Sequence, residues 1–137
     1  EQTQIRAVCE RYAAQHPNTL RFEANPKTLG YDGNLRRLVE LARGRYVFFL
    51  SNDDYVAPGA FRAIAEGLAK HGDVGLILRA FSFFEGDPSN VLRTTRYFPD
   101  VRLLPAGRET ARFCFRRLVI ISGIVMQHDL AHAAAST

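Results

Sequence analysis

The chain has 137 residues, 47% of them hydrophobic and 23% charged, with a formal net charge of +4. That length suits one ordinary domain around a single core, and the composition excludes a disordered chain. Basic residues are scattered, with Arg36/Arg37 and Arg116/Arg117 the only adjacent pairs, so the concentrated basic stripe of a nucleic-acid binder is missing. The mild positive charge leaves room for anionic ligands or a membrane surface. Cys9 and Cys114 lack motif spacing and read as two reduced thiols rather than a disulfide framework or a zinc site. The polar opening Glu1-Gln2-Thr3-Gln4 is unlike a signal peptide. The longest apolar stretch, Leu118 to Met126, falls far short of the roughly 20 residues that span a bilayer.

In chain order, Ile5, Val8, Cys9, Tyr12 and Ala13 recur at helical spacing and predict an amphipathic helix over 2–15, ended by His16-Pro17-Asn18. Leu20 to Ala24 alternates like a short strand, and Asn25 to Gly30 reads as a loop punctuated by Pro26 and Gly30. A second helix is expected over 32–43, with Gly44 as its C-cap glycine. Tyr46 to Leu50 is a continuous apolar run of β-formers, the pattern of a strand buried on both faces of a mainly parallel sheet.

A third helix is expected from Pro58, a favoured first-turn residue, to Lys70, closed by His71-Gly72. Val74 to Phe84 reads as a central strand. Residues 85–90 form a turn, 91–107 look irregular, and a short helix near 108–116 precedes a strand at 118–126. The alanine-rich 129–135 reads as helix. Helices and strands alternating in this way indicate a layered α/β domain.

The strongest local signal is Asn52-Asp53-Asp54 directly after the Tyr46–Leu50 strand. In open α/β sheets, ligands gather where the carboxyl ends of strands meet their loops. Adjacent carboxylates there call for a compensating cation or donor, and hard oxygen ligands suit Mg²⁺ or Mn²⁺. The plainer reading is an Asp-rich turn that caps the next helix. His128 and His132 lie four apart but lack the intervening glutamate of a zinc-protease helix, so they read as surface histidines.

The neighbouring residues shift that balance. Asn25-x-x-x-Leu29-Gly30-x-x-x-Asn34, then Ala42-x-Gly44-x-Tyr46-x-x-Phe49-Leu50-x-x-Asp53-Asp54, then Pro58-x-Ala60, resembles the core of family 2 glycosyltransferases over about residues 3–80. Within that family, residues 30–34 and Ile121-Ser122-Gly123 look like the abequosyltransferase-like branch, which transfers deoxy or dideoxy sugars in O-antigen synthesis.

The resemblance implies a GT-A-like, Rossmann-like α/β fold with a mainly parallel sheet flanked by helices. It also implies a nucleotide-binding part at 1–84 and the start of an acceptor-side part at 85–137. Asp53 matches the last acid of the family's Asp-x-Asp motif, which meets the metal and the donor diphosphate, and Asp54 matches the acid that often follows. The first acid falls at Ser51, which supplies hydrogen bonds but no charge. Ser51, Asn52, Asp53 and Asn34 are thus the expected nucleotide-sugar contacts, Asp53 and Asp54 the expected ligands of Mg²⁺ or Mn²⁺. Gly44 and Pro58 read as structural.

The family's N-terminal motifs are not seen before Glu1, and its catalytic base belongs downstream of the strand that 118–126 resembles. The chain therefore resembles an internal piece, incomplete at both ends, whose catalytic base is unknown; Glu85 and Asp87 have no motif behind them. The expected partners are a nucleotide-sugar donor and a glycan or lipid-linked acceptor, with no nucleic acid. The implied location is cytoplasmic, peripheral at the inner face of the membrane. An exposed sheet edge would favour a homodimer. The rival expectation is a non-catalytic sugar-nucleotide-binding or interaction module. A phosphotransfer or nucleotidyl-transfer domain fits less well, because no glycine-rich phosphate loop is present.

Overall fold

The computed structural model describes residues 2–115, 117, 118 and 120–136. It divides into two compact units, Glu1–Leu35 and Arg36–Thr137, with the boundary inside the second helix. The first unit holds helix α1 (Gln2–Gln15) and the start of α2 (Gly30–Leu41). Between them the chain is irregular. The alternating residues 20–24 form no strand, because side-chain alternation supplies no ladder partner for the backbone. Phe22 is instead covered by the Arg6 guanidinium, 5.0 Å from its ring centre.

The second unit carries β1 (Tyr46–Phe48), α3 (Ala60–His71), β2 (Leu76–Leu78), β3 (Phe81–Phe84), β4 (Val91–Thr95), α4 (Arg108–Cys114), β5 (Ile124–Gln127) and α5 (His128–Ala135). A single 3₁₀ turn, Ile121–Gly123, leads into β5. The domain is therefore mixed α/β, as expected. The pairing pattern differs from expectation. Among the described residues the main sheet has three strands in the order β1-β5-β2, and β5 runs antiparallel to both neighbours. β1 and β2 share one direction, as a helical crossover through α3 requires, but they do not pair with each other. The mainly parallel sheet is thus corrected to two co-directional strands with a reversed strand wedged between them.

The register fixes the layers. Phe48 and Ile77 both stand opposite Val125, so these three share a face, because cross-strand partners point the same way. Phe61 of α3 meets the Phe48 ring edge-on at 5.6 Å on that face. Val125 is only 2% exposed, and Val39, Val47, Ile124 and Ala131 are also buried.

The expected 74–84 strand breaks in two. Leu76–Leu78 belongs to the main sheet, whereas Phe81–Phe84 pairs antiparallel with β4 in a separate hairpin across the 85–90 turn. One apolar run thus serves two sheets, a division that hydropathy does not mark. The expected strand over 118–126 contracts to β5, with Val119 outside the described residues. The expected helix over 108–116 ends at Cys114, and Arg116 too lies outside them.

Two caps differ from expectation. The third helix begins at Ala60, not Pro58, with Gly59 in the left-handed region (φ 78°) before it. Gly44 is not a left-handed C-cap; a Cβ there would lie 3.2 Å from the Tyr46 carbonyl oxygen, so its role is close backbone approach. No helix among the described residues is long and apolar enough to cross a membrane.

Tyr46 joins the strands at the end remote from the acidic turn. Its hydroxyl donates to the Val74 carbonyl at 3.0 Å and accepts from the Val74 N–H at 3.2 Å. Removing it strands both backbone groups in a half-buried setting. Tyr46→Phe is expected to lower stability by about 1–3 kcal/mol, the cost of leaving such groups unpaired. Urea unfolding checks this; an unchanged midpoint would show that water replaces the hydroxyl without loss.

Candidate functional site

The direction of β1 and β2 brings their carboxyl ends together beside the start of β5. From β1 the chain passes through Phe49 and Leu50 into Ser51-Asn52-Asp53-Asp54. The Asp54 N–H donates to the Ser51 carbonyl at 3.3 Å, which closes these four residues into a turn. The Ser51 hydroxyl donates to Asp53 Oδ1 at 2.5 Å. The Ser51 N–H donates to the Ser122 hydroxyl oxygen at 2.9 Å, tying the turn to the 3₁₀ segment before β5. The turn does not cap a helix, since α3 starts at Ala60 behind Gly59. Asn52, Asp53 and Asp54 are exposed.

The Asp53 carboxyl is held below the usual aspartate pKa, first by the Ser51 hydroxyl and then by its own backbone N–H. Hydrogen bonds to the charged form favour ionisation. Asp53 is thus a fixed anion in water, pointed by Ser51, at the end of a half-buried strand.

From β2 the chain passes into Arg79. Its backbone N–H donates to Gly123 O at 3.0 Å, which extends the β2–β5 ladder by one bond. Its guanidinium lies 4.7 Å from the Phe48 ring centre, and Nη2 donates to the Ser122 carbonyl at 3.3 Å. Nε and Nη1 are buried and make no hydrogen bond among the described residues. Burial lowers the Arg79 pKa, but a guanidinium starts so high that it stays charged. Ser122 therefore holds Ser51 through its hydroxyl and Arg79 through its carbonyl.

Beyond the turn, Tyr55 packs edge-on against Phe84 at 5.6 Å, so the end of β3 adjoins the acidic loop. Glu85 follows Phe84 into the hairpin turn. Asp87 is occupied there, since its Oδ1 accepts from both the Ser89 N–H (2.8 Å) and the Ser89 hydroxyl (2.6 Å). Those bonds, the hydroxyl's first, lower its pKa. A carboxylate stabilised in this way is a weak proton acceptor.

Asn34 belongs to the first unit. Its Oδ1 accepts from Asn25 Nδ2 at 3.0 Å, and both line an open cleft of about 420 Å³ with Ile5, Phe22, Lys27 and Tyr31. His128 is half-buried, and its Nε2 lies 3.2 Å from the Val39 carbonyl, which can only accept, so the ring serves as an interhelical tie.

No group of three or more His, Cys, Asp or Glu residues among those described could enclose a metal ion. The donors at the turn, the carboxylates of Asp53 and Asp54 and the Ser51 hydroxyl, are all hard oxygens. They suit a Mg²⁺ or Mn²⁺ ion bound by one or two carboxylates and completed by water and phosphate oxygens, not one caged by protein. Arg79 has no signal in the sequence, because a single arginine after an apolar run reads as the solvated end of a strand. Ser122 was seen only as part of a motif; its bond to Ser51 depends on the β5 insertion.

The family model described as Glycosyl transferase family 2 matches residues 2–126. No curated protein and no solved structure matches the chain.

The Ser51–Asp53 bond makes a direct prediction. Asp53 is ionised to lower pH in the fold than an ordinary aspartate, and that advantage vanishes as pH falls through its own pKa. Ser51→Ala removes the largest cause, so the Asp53 carboxyl should titrate at higher pH than in the wild type, toward the usual aspartate range. Carboxyl-carbon NMR titration of both proteins checks it. Identical titration curves would show that the hydroxyl bond does not form in solution.

Proposed function

The chain belongs to glycosyl transferase family 2, and on that premise we propose that it transfers a sugar from a nucleotide-sugar donor to a glycan or lipid-linked acceptor. The donor diphosphate is held at the Ser51–Asp54 turn. The observation that carries this reading is the ionised Asp53, pinned by Ser51 where the carboxyl ends of β1 and β2 meet. That is where α/β sheets collect ligands. The narrower assignment to a deoxy- or dideoxy-sugar branch rests on the 30–34 and 121–123 segments alone.

In the proposed reaction an acceptor hydroxyl attacks the anomeric carbon from the face opposite the leaving group. The carbon–oxygen bond to the nucleoside diphosphate breaks, the hydroxyl proton passes to a carboxylate base, and the configuration inverts. Asp53 and Asp54 would hold Mg²⁺ or Mn²⁺, which when bound neutralises charge on the departing diphosphate. Ser51 keeps the Asp53 carboxylate oriented and ionised, and Asn52 offers an amide to the nucleotide. Asp87 is unsuited to act as the base, since its oxygen is committed to Ser89. Placement at the cytoplasmic face of a membrane follows if the acceptor is lipid-linked, and belongs to this proposal.

Calorimetry with nucleoside diphosphates, with and without Mn²⁺, tests the site. Wild type should bind more tightly with Mn²⁺, and Asp53→Ala should lose about tenfold or more of the Mn²⁺-dependent affinity, the scale of one lost charge-assisted contact. Equal affinity in both proteins, with and without metal, would remove the site from this turn.

A further inference from the structure

Arg79 presents an imbalance that the fold alone does not account for. A guanidinium whose Nε and Nη1 are buried with no hydrogen bond among the described residues is a costly group to keep. Its hydrocarbon stem and ring contact could be supplied by an apolar side chain of similar length, which would cover Phe48 with no polar group to satisfy. The charge it retains is held in one place, by the Phe48 face at 4.7 Å and by the Ser122 carbonyl at 3.3 Å. That place is one residue removed from the turn that carries Asp53 and Asp54, since the same Ser122 receives the Ser51 N–H.

Resting on the donor-site reading above, the imbalance resolves when the diphosphate is counted. Two adjacent carboxylates and a diphosphate carry more negative charge than one divalent ion neutralises. Ser51 lessens the excess by standing where a third carboxylate would add to it, and a cation behind the turn offsets more. A charge fixed in a partly buried position acts at longer range than one in water, because less solvent screens it. It also needs no rearrangement when the ligand arrives.

We propose that Arg79 is a positioning residue of the donor site, which braces the Ser51–Asp54 turn through Ser122 and supplies it with the fixed positive charge that makes it accept a nucleoside diphosphate. Arg79 acts through Ser122, since Nε and Nη1 are buried and Nη2 is engaged by the Ser122 carbonyl.

The role is read by comparing a charged ligand with its uncharged counterpart on the whole chain. UDP, GDP, CDP and dTDP are titrated with Mn²⁺ by calorimetry, and the tightest binder and its nucleoside are carried forward, the nucleoside followed by ligand-observed NMR. Arg79→Met should weaken the diphosphate by about tenfold and the nucleoside by no more than about twofold, as expected for loss of a charge rather than of shape. Arg79→Lys keeps the charge but loses the planar stack on Phe48, so it should retain more diphosphate affinity than Arg79→Met. Thermal melts establish that each variant folds. If Arg79→Met does not fold, Arg79→Gln is held to the same comparison.

Unchanged diphosphate affinity in a folded, uncharged variant overturns the proposal and leaves the donor site standing. Equal weakening of diphosphate and nucleoside also overturns it, since that marks a merely structural residue. Failure of the wild type to bind any of the four diphosphates overturns the donor-site reading itself, and this inference with it.

Discussion

Everything at the candidate site depends on the insertion of β5 between β1 and β2. Both outer strands pair with β5 in antiparallel register, Phe48 and Ile77 standing opposite the same Val125. This sends their carboxyl ends to one end of the sheet, where Ser51 and Arg79 follow them. It also sends the approach to β5 to that same end, so Ser122 arrives between the two. A direct parallel pair of β1 and β2 would bring the same carboxyl ends together but leave no room for Ser122 between them. The reversed strand supplies both a covered core, with Val125 buried on its face, and the polar link between the two loops.

The turn so formed is held by hydrogen bonds to Ser51. The Ser51 hydroxyl acts on its neighbour by donating to Asp53. That bond favours the ionised form of Asp53 and sets the direction of its carboxylate. A hydroxyl adds no repulsion to the Asp53–Asp54 pair, whereas a third carboxylate would raise the pKa of the others. The backbone N–H of Ser51 is satisfied by Ser122, which keeps the turn from drifting when no ligand is present.

Local features were legible in the sequence to the extent that their causes are local. The apolar periodicity of α1, the β-forming run at 46–50 and the helix-closing Gly72, with φ 73°, each reflect forces acting within a few residues. The Asn52-Asp53-Asp54 turn was legible from its position after that run. Pairings that join distant residues were not. Nothing in 118–126 announces that it lies between 46–48 and 76–78, and nothing in 74–84 marks the point where one strand ends and another sheet begins. β4 escaped notice because Val91–Thr95 has four exposed residues and no apolar face to bury; its strand character comes from pairing with β3. Pro58 was a sound helix-start signal overridden by Gly59, whose left-handed backbone postpones the helix to Ala60. Arg79 carries no local signal, since what sets it apart is the burial of Nε and Nη1 without a hydrogen bond among the described residues, which depends on the fold.

The main sheet is thereby divided in function along its strand axis. At one end lie Arg45, Tyr46, Val74 and Gly75, joined by the Tyr46 hydroxyl, by the Gln127 N–H bond to Gly75 O and by the His128 N–H bond to Arg45 O. These groups close the ladder and launch α5, and their bonds are backbone or backbone-directed. At the other end lie Ser51, Arg79 and Ser122, tied by bonds between side chains and backbone, with the Asp53 and Asp54 carboxylates exposed to water. Val125 and its cross-strand partners Phe48 and Ile77 lie between the two ends. A perturbation at the Tyr46 end therefore acts on the site by unpairing strands, whereas one at the Ser51 end acts on charge and aim while the strands stay paired.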